Sequence, residues 1–299
     1  MVGPALAPEA IAAFDPAAAD RLLDRLEREV PTRPPLVEVG ARSHGRAFVF
    51  GDSHGDWRST REVVHRFEAA GPDTVLVGLG DYVDRSPDDL PAGSVVNALY
   101  LLDAAARHPD RVFLVQGNHE TVRRLGVRPR DLPREVAEKW GPDDARCDRL
   151  VRLLERGPIA AWSESGAYFA HAGFPRGALP TPWTTAFDRI DDDRLAQVVW
   201  AECGASEIRR GVVPPFTERE LAEFQAASGT SVFLRGHDPD ITGRRVFSDR
   251  CLTLHTTSVY ERYGGILVAS LPLGDRISDL AEVTVEHLPT EGETSPKRR

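Results

Sequence analysis

The sequence predicts an α/β protein in which two packed mixed β-sheets are flanked by helices. Three observations carry this. Residues 46–115 alternate short apolar runs with helical patterns in the order β-α-β-α-β. The second half carries closely spaced strand-like runs with fewer helices between them, which fits two sheets better than one doubly wound sheet. Each of the first three apolar runs is followed within two residues by a glycine and then a polar cluster, as buried strands are at the rim of an open sheet.

Taken in order, residues 17–30 (AAADRLLDRLEREV) place Leu22, Leu23, Leu26 and Val30 at helical spacing. Such an apolar stripe is expected to dock on the protein's own core. The stretch PTRPP (31–35) breaks the helix, so residues 1–35 read as an N-terminal helical segment with a Pro-rich connector. Strands are expected at RAFVF (46–50), TVLVG (74–78) and RVFLV (111–115), with helices over 57–70 and 93–107 between them. Right-handed crossovers then make the three strands parallel neighbours. Residues 123–148, rich in Arg, Pro and acidic groups, form either a rim over the strand ends or a solvated connection. A helix follows over 145–156, then strands at 158–162, 167–171, 231–235, 251–257, 264–270 and 282–287. The main folded domain therefore spans 36–288, and the polar, Pro-containing tail 289–299 is expected to be disordered.

Composition narrows the function. The chain has 299 residues, 41% hydrophobic and 28% charged, with a formal net charge of -9. That balance disfavours general nucleic-acid binding, which needs clustered Lys and Arg. No apolar run reaches the ~20 residues of a membrane span. Cys147, Cys203 and Cys251 form no CxxC pair, so neither a zinc ribbon nor a disulfide framework is expected. Residues 1–20 carry Glu9, Asp15 and Asp20 and no Lys or Arg, unlike a signal peptide. A cytoplasmic, soluble protein is the expectation; composition leaves its oligomeric state open.

The polar residues at the strand ends are the informative ones. The first strand runs into Gly51-Asp52-Ser53-His54-Gly55-Asp56, the second into Gly80-Asp81-Tyr82-Val83-Asp84-Arg85, the third into Gly117-Asn118-His119-Glu120. An Asp after a strand alone is usually a turn former or helix cap. Carboxylate, imidazole and amide oxygen together on adjacent strand ends are instead a ligand set for Mn, Fe or Zn. His171 and His237 end later strands and extend the set, whereas His44, His65, His108 and His287 have no such setting. His255, inside a strand pattern, stays undecided.

The segments GDSHG (51–55), GDYVDRS (80–86) and GNHE (117–120) resemble, in order, the GDxHG, GDxVDRG and GNHE motifs of the PPP family of metal-dependent serine/threonine phosphatases, within the metallophosphoesterases. His171-Ala172-Gly173, Arg235-Gly236-His237, LTLHTTSVY (252–260) and IRRG (208–211) resemble later elements of that family, so the resemblance covers roughly 46–270. Ser86 and Ala172 replace family glycines. Trp200-Ala201-Glu202 and Ser258-Val259 depart at the substrate rim, which bears on substrate rather than chemistry.

The resemblance implies a four-layer sandwich and two divalent metals, Mn first with Fe or Zn as alternatives. It puts Asp52 and His54 on one metal, Asn118, His171 and His237 on the other, and Asp81 on both. It implies direct attack of a metal-bridging hydroxide on phosphorus. Arg85 and Arg210 would bind phosphate, with Arg209 the alternative to Arg210, and Asn118 and Tyr260 would line the substrate site. His119, oriented by Asp84, would protonate the leaving group. The expected substrates are phosphoserine and phosphothreonine in proteins. The alternatives are tyrosine phosphate, a small phosphate ester such as diadenosine tetraphosphate, or a non-catalytic binding module on the same fold. Glu120, where the dinucleotide hydrolases of the superfamily tend to carry Asp, favours the protein substrate.

Overall fold

Side-chain alternation along the first long strand sets the layering. Ala47 and Val49 point to one face and Phe48 and Phe50 to the other, the period-2 rule of a pleated strand. The first pair joins a core lying between two sheets, and the second packs beneath helices.

The computed structural model describes residues 5–40, 45–142 and 144–289. Its helices are α1 (Pro8–Ala12), α2 (Pro16–Glu29), α3 (Trp57–Ala69), α4 (Gly93–Arg107), α5 (Leu132–Trp140), α6 (Asp144–Leu154), α7 (Asp192–Trp200) and α8 (Glu218–Ser228). Its strands are β1 (Leu36–Glu38), β2 (Arg46–Phe50), β3 (Thr74–Gly78), β4 (Val112–Leu114), β5 (Ala160–Trp162), β6 (Ala167–Ala170), β7 (Val232–Arg235), β8 (Arg245–Val246), β9 (Cys251–Thr253), β10 (Leu267–Pro272) and β11 (Thr284–His287).

One sheet has five strands in the order β11-β10-β2-β3-β4. Its β2, β3 and β4 are parallel neighbours, with Ala47 opposite Val75 and Val77 opposite Phe113, and β10 and β11 run antiparallel. The other has six strands in the order β1-β5-β6-β7-β9-β8, in which β6, β7 and β9 are parallel. The β5–β6 and β8–β9 pairs there are antiparallel. Both sheets are mixed, as the sequence predicts. Their facing sides bury Val49, Val77, Phe113, Phe169, Leu234 and Leu252 together. Helices α1–α6 cover the outer face of the five-stranded sheet, while α7 and α8 cover that of the six-stranded sheet through Phe224, Phe233, Tyr168 and Phe174.

The amphipathic N-terminal helix forms as α2. Asp15 caps it by accepting from Ala18 N–H at 2.7 Å, and Pro16 opens its first turn. Leu22, Leu23 and Leu26 are buried in the core shared with α4. Arg146 and Arg149 on α6 pair with Asp20 and Asp24 across the α2–α6 contact at 2.7 and 2.6 Å.

Several expectations change. The second half holds two full helices, α7 and α8, that the reading of strands alone omitted. Helix α8 opens with a capping box in which Thr217 and Glu220 satisfy each other's backbone N–H groups. Residues 123–148 contain α5 rather than only a rim or connection. The strand expected over 251–257 stops at Thr253, because beyond it the chain crosses to the other sheet, with Thr256 N–H donating to the Asp52 carbonyl at 2.9 Å. The strand expected to begin at 264 begins at Leu267. His44 and residues 290–299, and with them the reading of a disordered tail, lie outside the described residues. Among the described residues, no helix is long and apolar enough to cross a membrane.

Candidate active site

Strand ends from both sheets meet at one rim. Two glycines show how closely they meet. A Cβ on Gly51 would stand 1.8 Å from the Leu254 carbonyl oxygen, and one on Gly236 would stand 2.0 Å from Asp52 Oδ1. Only glycine permits either approach. Backbone strain concentrates at the same place. His54, Asp81, Asp84, Arg85 and His237 have φ of 40°, 55°, 63°, 54° and 72°, a left-handed region that non-glycine residues seldom occupy.

Asp52 and His54 follow β2, Asp81 follows β3, Asn118 and His119 follow β4, His171 follows β6 and His237 follows β7. All are buried. His171 Nδ1 donates to the Leu79 carbonyl at 2.9 Å, which leaves Nε2 to face the cluster. That nitrogen faces Asn118 Oδ1 at 2.8 Å, His237 Nδ1 at 3.1 Å and Asp81 Oδ2 at 3.4 Å. His54 is oriented the same way: Nδ1 donates to the Val83 carbonyl at 3.0 Å, and Nε2 faces Asp81 Oδ2 at 3.7 Å and Asp52 Oδ2 at 3.9 Å. Lone pairs brought this close in a buried site repel one another unless a cation lies among them. The donor atoms of Asp52, Asp81 and His171 lie within 4.8 Å of one another, as do those of His54, Asp81 and His119. Oxygen and imidazole donors of this kind suit divalent Mn, Fe or Zn. The residues fit a pair of divalent ions with Asp81 between them.

Electrostatics agrees. Burial pulls the His54 pKa down to about 4 despite Asp81 beside it. Burial, with Arg210 and His171 nearby, takes His237 well below the usual imidazole value. Both rings are thus neutral and able to ligate.

His119 is set apart by its partner. Its Nδ1 lies 2.5 Å from Asp84 Oδ2, and its Nε2 is buried with no hydrogen-bond partner. Burial alone would depress its pKa, but Asp81 and Asp84 outweigh burial and raise it. Asp84 is itself held by the start of α5, where Asp131 and Leu132 N–H groups donate to Oδ1 at 2.6 and 2.7 Å. A helix N-terminus favours such an anion. Within α5, Glu135 accepts from Ser86 Oγ at 2.9 Å and from Ser94 N at 2.8 Å, so the departure at Ser86 ties the second motif to α4 and α5. Glu120 accepts three backbone N–H bonds, from Asp81 and Gly117 at 2.8 Å and Tyr82 at 2.9 Å, and so fixes the Asp81 loop.

The cationic groups separate clearly. Arg85 Nη1 donates to Tyr260 OH at 2.6 Å, and Tyr260 packs edge-on to His54 with ring centroids 5.5 Å apart. Arg210 donates to the His237 carbonyl at 2.9 Å and to Asp238 Oδ1 at 3.1 Å, which puts it beside the cluster. Arg209 instead donates to the Ser206 carbonyl at 2.6 Å and is exposed. Fully buried Arg235 pairs with Asp238 at 2.7 Å and donates to the Ala172 carbonyl at 2.6 Å, so it braces the His171 and His237 loops. The supporting roles of Glu120, Asp131, Glu135 and Asp238 escaped the sequence reading. Glu120 and Asp238 stand in or beside motifs, which was the available signal, whereas Asp131 and Glu135 lie outside them and meet Asp84, Ser86 and Ser94 from far along the chain.

A two-sheet sandwich with Asp, His and Asn donors gathered at its strand ends defines a metallophosphoesterase. Residues 45–240 match the calcineurin-like phosphoesterase family, and the chain belongs to it. It is similar to a probable serine/threonine-protein phosphatase of Encephalitozoon cuniculi, 24% identical over 267 residues, covering 82% of this chain and 55% of that one. It is also similar to a protein phosphatase 2A of Dictyostelium discoideum, in its catalytic polypeptide, 25% identical over 216 residues, covering 69% and 66%. A third relative, a PP2A-like serine/threonine-protein phosphatase of Candida albicans, is 26% identical over 193 residues, covering 62% and 43%. The chain thus spans 43% to 66% of the length of these relatives. Among solved structures, a protein serine/threonine phosphatase from Saccharomyces cerevisiae superposes with a TM-score of 0.70 at 19% identity, covering 97% of this chain and 92% of that one. The likeness establishes the fold.

Proposed function

We propose that the protein is a dimetal phosphoesterase that hydrolyses phosphate monoesters, with phosphoserine and phosphothreonine in proteins as its substrates. The observation that carries this reading is the buried set of mutually facing lone pairs on Asp52, His54, Asp81, Asn118, His171 and His237. The naming of the Encephalitozoon and Candida relatives as serine/threonine-protein phosphatases supports the substrate class.

In this reading Asp52 and His54 would hold one ion, Asn118, His171 and His237 the other, and Asp81 would serve both. Manganese is the first choice of ion. Such a pair supplies a nucleophile from water near neutral pH and neutralises charge on the phosphate. The remaining work belongs to side chains. Arg85 and Arg210 bind two phosphate oxygens each through their guanidinium forks. Asn118 and Tyr260 line the same pocket, with Tyr260 holding Arg85 in place. His119 Nε2 gives its proton to the leaving alkoxide, while Asp84 keeps the ring oriented and charged.

The test is hydrolysis by metal-stripped protein reloaded with Mn²⁺, with Asp81→Asn as the blank. A phosphothreonine peptide, a phosphotyrosine peptide and diadenosine tetraphosphate are compared. Release from the phosphothreonine peptide that depends on metal and is absent in the blank is expected. Preference for the dinucleotide would move the substrate class, and no turnover with both ions bound would sink the enzyme reading.

A further inference from the structure

His255 is fully buried beside the cluster and carries no role so far. It follows β9, where the two sheets touch. Asp52 and His255 form an isolated bridge, and Leu267 N–H donates to the His255 carbonyl at 2.8 Å. The backbone therefore fixes where the ring stands relative to the Asp52 carboxylate.

The ring's tautomer follows from its partners. Nδ1 lies 2.8 Å from Thr242 Oγ1, and that hydroxyl donates to the Pro239 carbonyl at 2.7 Å. A hydroxyl has one hydrogen, so Thr242 accepts from His255 and Nδ1 carries the proton. Nε2 is then the nitrogen left to meet Asp52. It has no hydrogen-bond partner and faces Asp52 Oδ2 at 3.3 Å. A buried ring nitrogen and a carboxylate this close, with no hydrogen bond joining them, are matched by a cation shared between them. Donors ~2.1 Å from one ion, at angles between right and tetrahedral, stand ~3.0–3.4 Å apart, and the observed separation falls in that window.

We propose that His255 Nε2 is a further ligand of the divalent ion held by Asp52 and His54. The inference rests on the dimetal reading and extends it. The ion on the Asp52 side takes a second imidazole that the GDSHG segment does not supply, and Thr242 orients it. A second nitrogen donor shifts that position toward Zn, Fe or Mn and away from Mg, which prefers oxygen.

Mn²⁺ titration of the metal-stripped full chain, followed by calorimetry and by the EPR signal of free Mn²⁺, tests this on wild type, His255→Phe and Thr242→Val. Wild type should show two sites. His255→Phe should weaken one of them ~10²-fold and leave the other within about two-fold, and Thr242→Val should weaken the same site ~10-fold. In the Zn²⁺-loaded wild type, long-range ¹H–¹⁵N spectra should show His255 Nε2 shifted as a metal-bound nitrogen without a proton. That measurement decides the matter if His255→Phe fails to fold. Two wild-type affinities retained in His255→Phe, or a proton on Nε2 in the Zn²⁺-loaded protein, would overturn this ligand alone. Wild type binding fewer than two Mn²⁺ would overturn the dimetal reading and this inference with it.

Discussion

The loops after β2, β3 and β4 hold their side chains mainly through backbone conformation, whereas those after β6, β7 and β9 hold theirs through bonds made far along the chain. In the first region, four motif residues sit at positive φ, and Ser53 and His54 N–H groups both reach the Asp81 carbonyl, at 3.1 and 2.9 Å. In the second, Arg235 donates to the Ala172 and Ala201 carbonyls at 2.6 and 3.1 Å, Asp238 accepts from Cys203 N–H at 2.7 Å, and His237 N–H reaches Asp52 Oδ1 at 3.2 Å. The first region is fixed mainly within the first half of the chain, with α5 as its outer support. The second is correct only when the rest of the domain is correct.

The largest effect should come from the one residue both regions need. Asp81→Asn should lose both ions and, with them, several kcal/mol of barrier lowering, about 10³-fold or more in turnover. Metal content of the purified variant checks this, and two ions retained would count against a shared Asp81. Next, His119→Asn should lower kcat by ~10²–10⁴ while metal content stays at the wild-type level. Loss of an ion there would make His119 a ligand, as its proximity to His54 and Asp81 allows. The comparison itself is tested by Arg235→Leu. It leaves Asp238 buried without its main partner and should destabilise the fold by ~3–5 kcal/mol in urea unfolding. It should also weaken the ion of the Asn118, His171 and His237 set more than that of the Asp52 set, and equal weakening of both would erase the distinction between the regions. The smallest effect separates neighbouring arginines. Arg210→Ala should raise KM for a phosphothreonine peptide by about 10-fold, consistent with loss of a charge-assisted hydrogen bond. Arg209→Ala should leave it unchanged, and the reverse pattern would exchange their roles.

The same difference explains what the sequence could tell. Asp52, His54, Asp81, Asn118 and His119 were legible because each follows an apolar run directly, so strand end and donor are read together. The order of β2, β3 and β4 came with them. His171 and His237 extended the set because each ends a later strand, and the resemblance added which ion each would hold. His255 could not be assigned at all, since nothing local says that the chain after β9 leaves its own sheet to lie against Asp52. Helix α5 was hidden by its Pro-rich approach, and α7 by a short apolar stripe ending at Trp200. Helix α8 was missed although Thr217 and Glu220 stand at capping-box spacing, a signal available from the residues alone. The short β1 carries too few residues to show any period.

The contact between Asp52 and His255 joins strands of different sheets. Donors from the five-stranded sheet and donors from the six-stranded sheet therefore close on the same small volume. Any ion bound there grips both halves of the sandwich at once, so its binding free energy is also adhesion between the two sheets. A chelator would thus act on this protein as a wedge between its sheets as well as a poison of its chemistry.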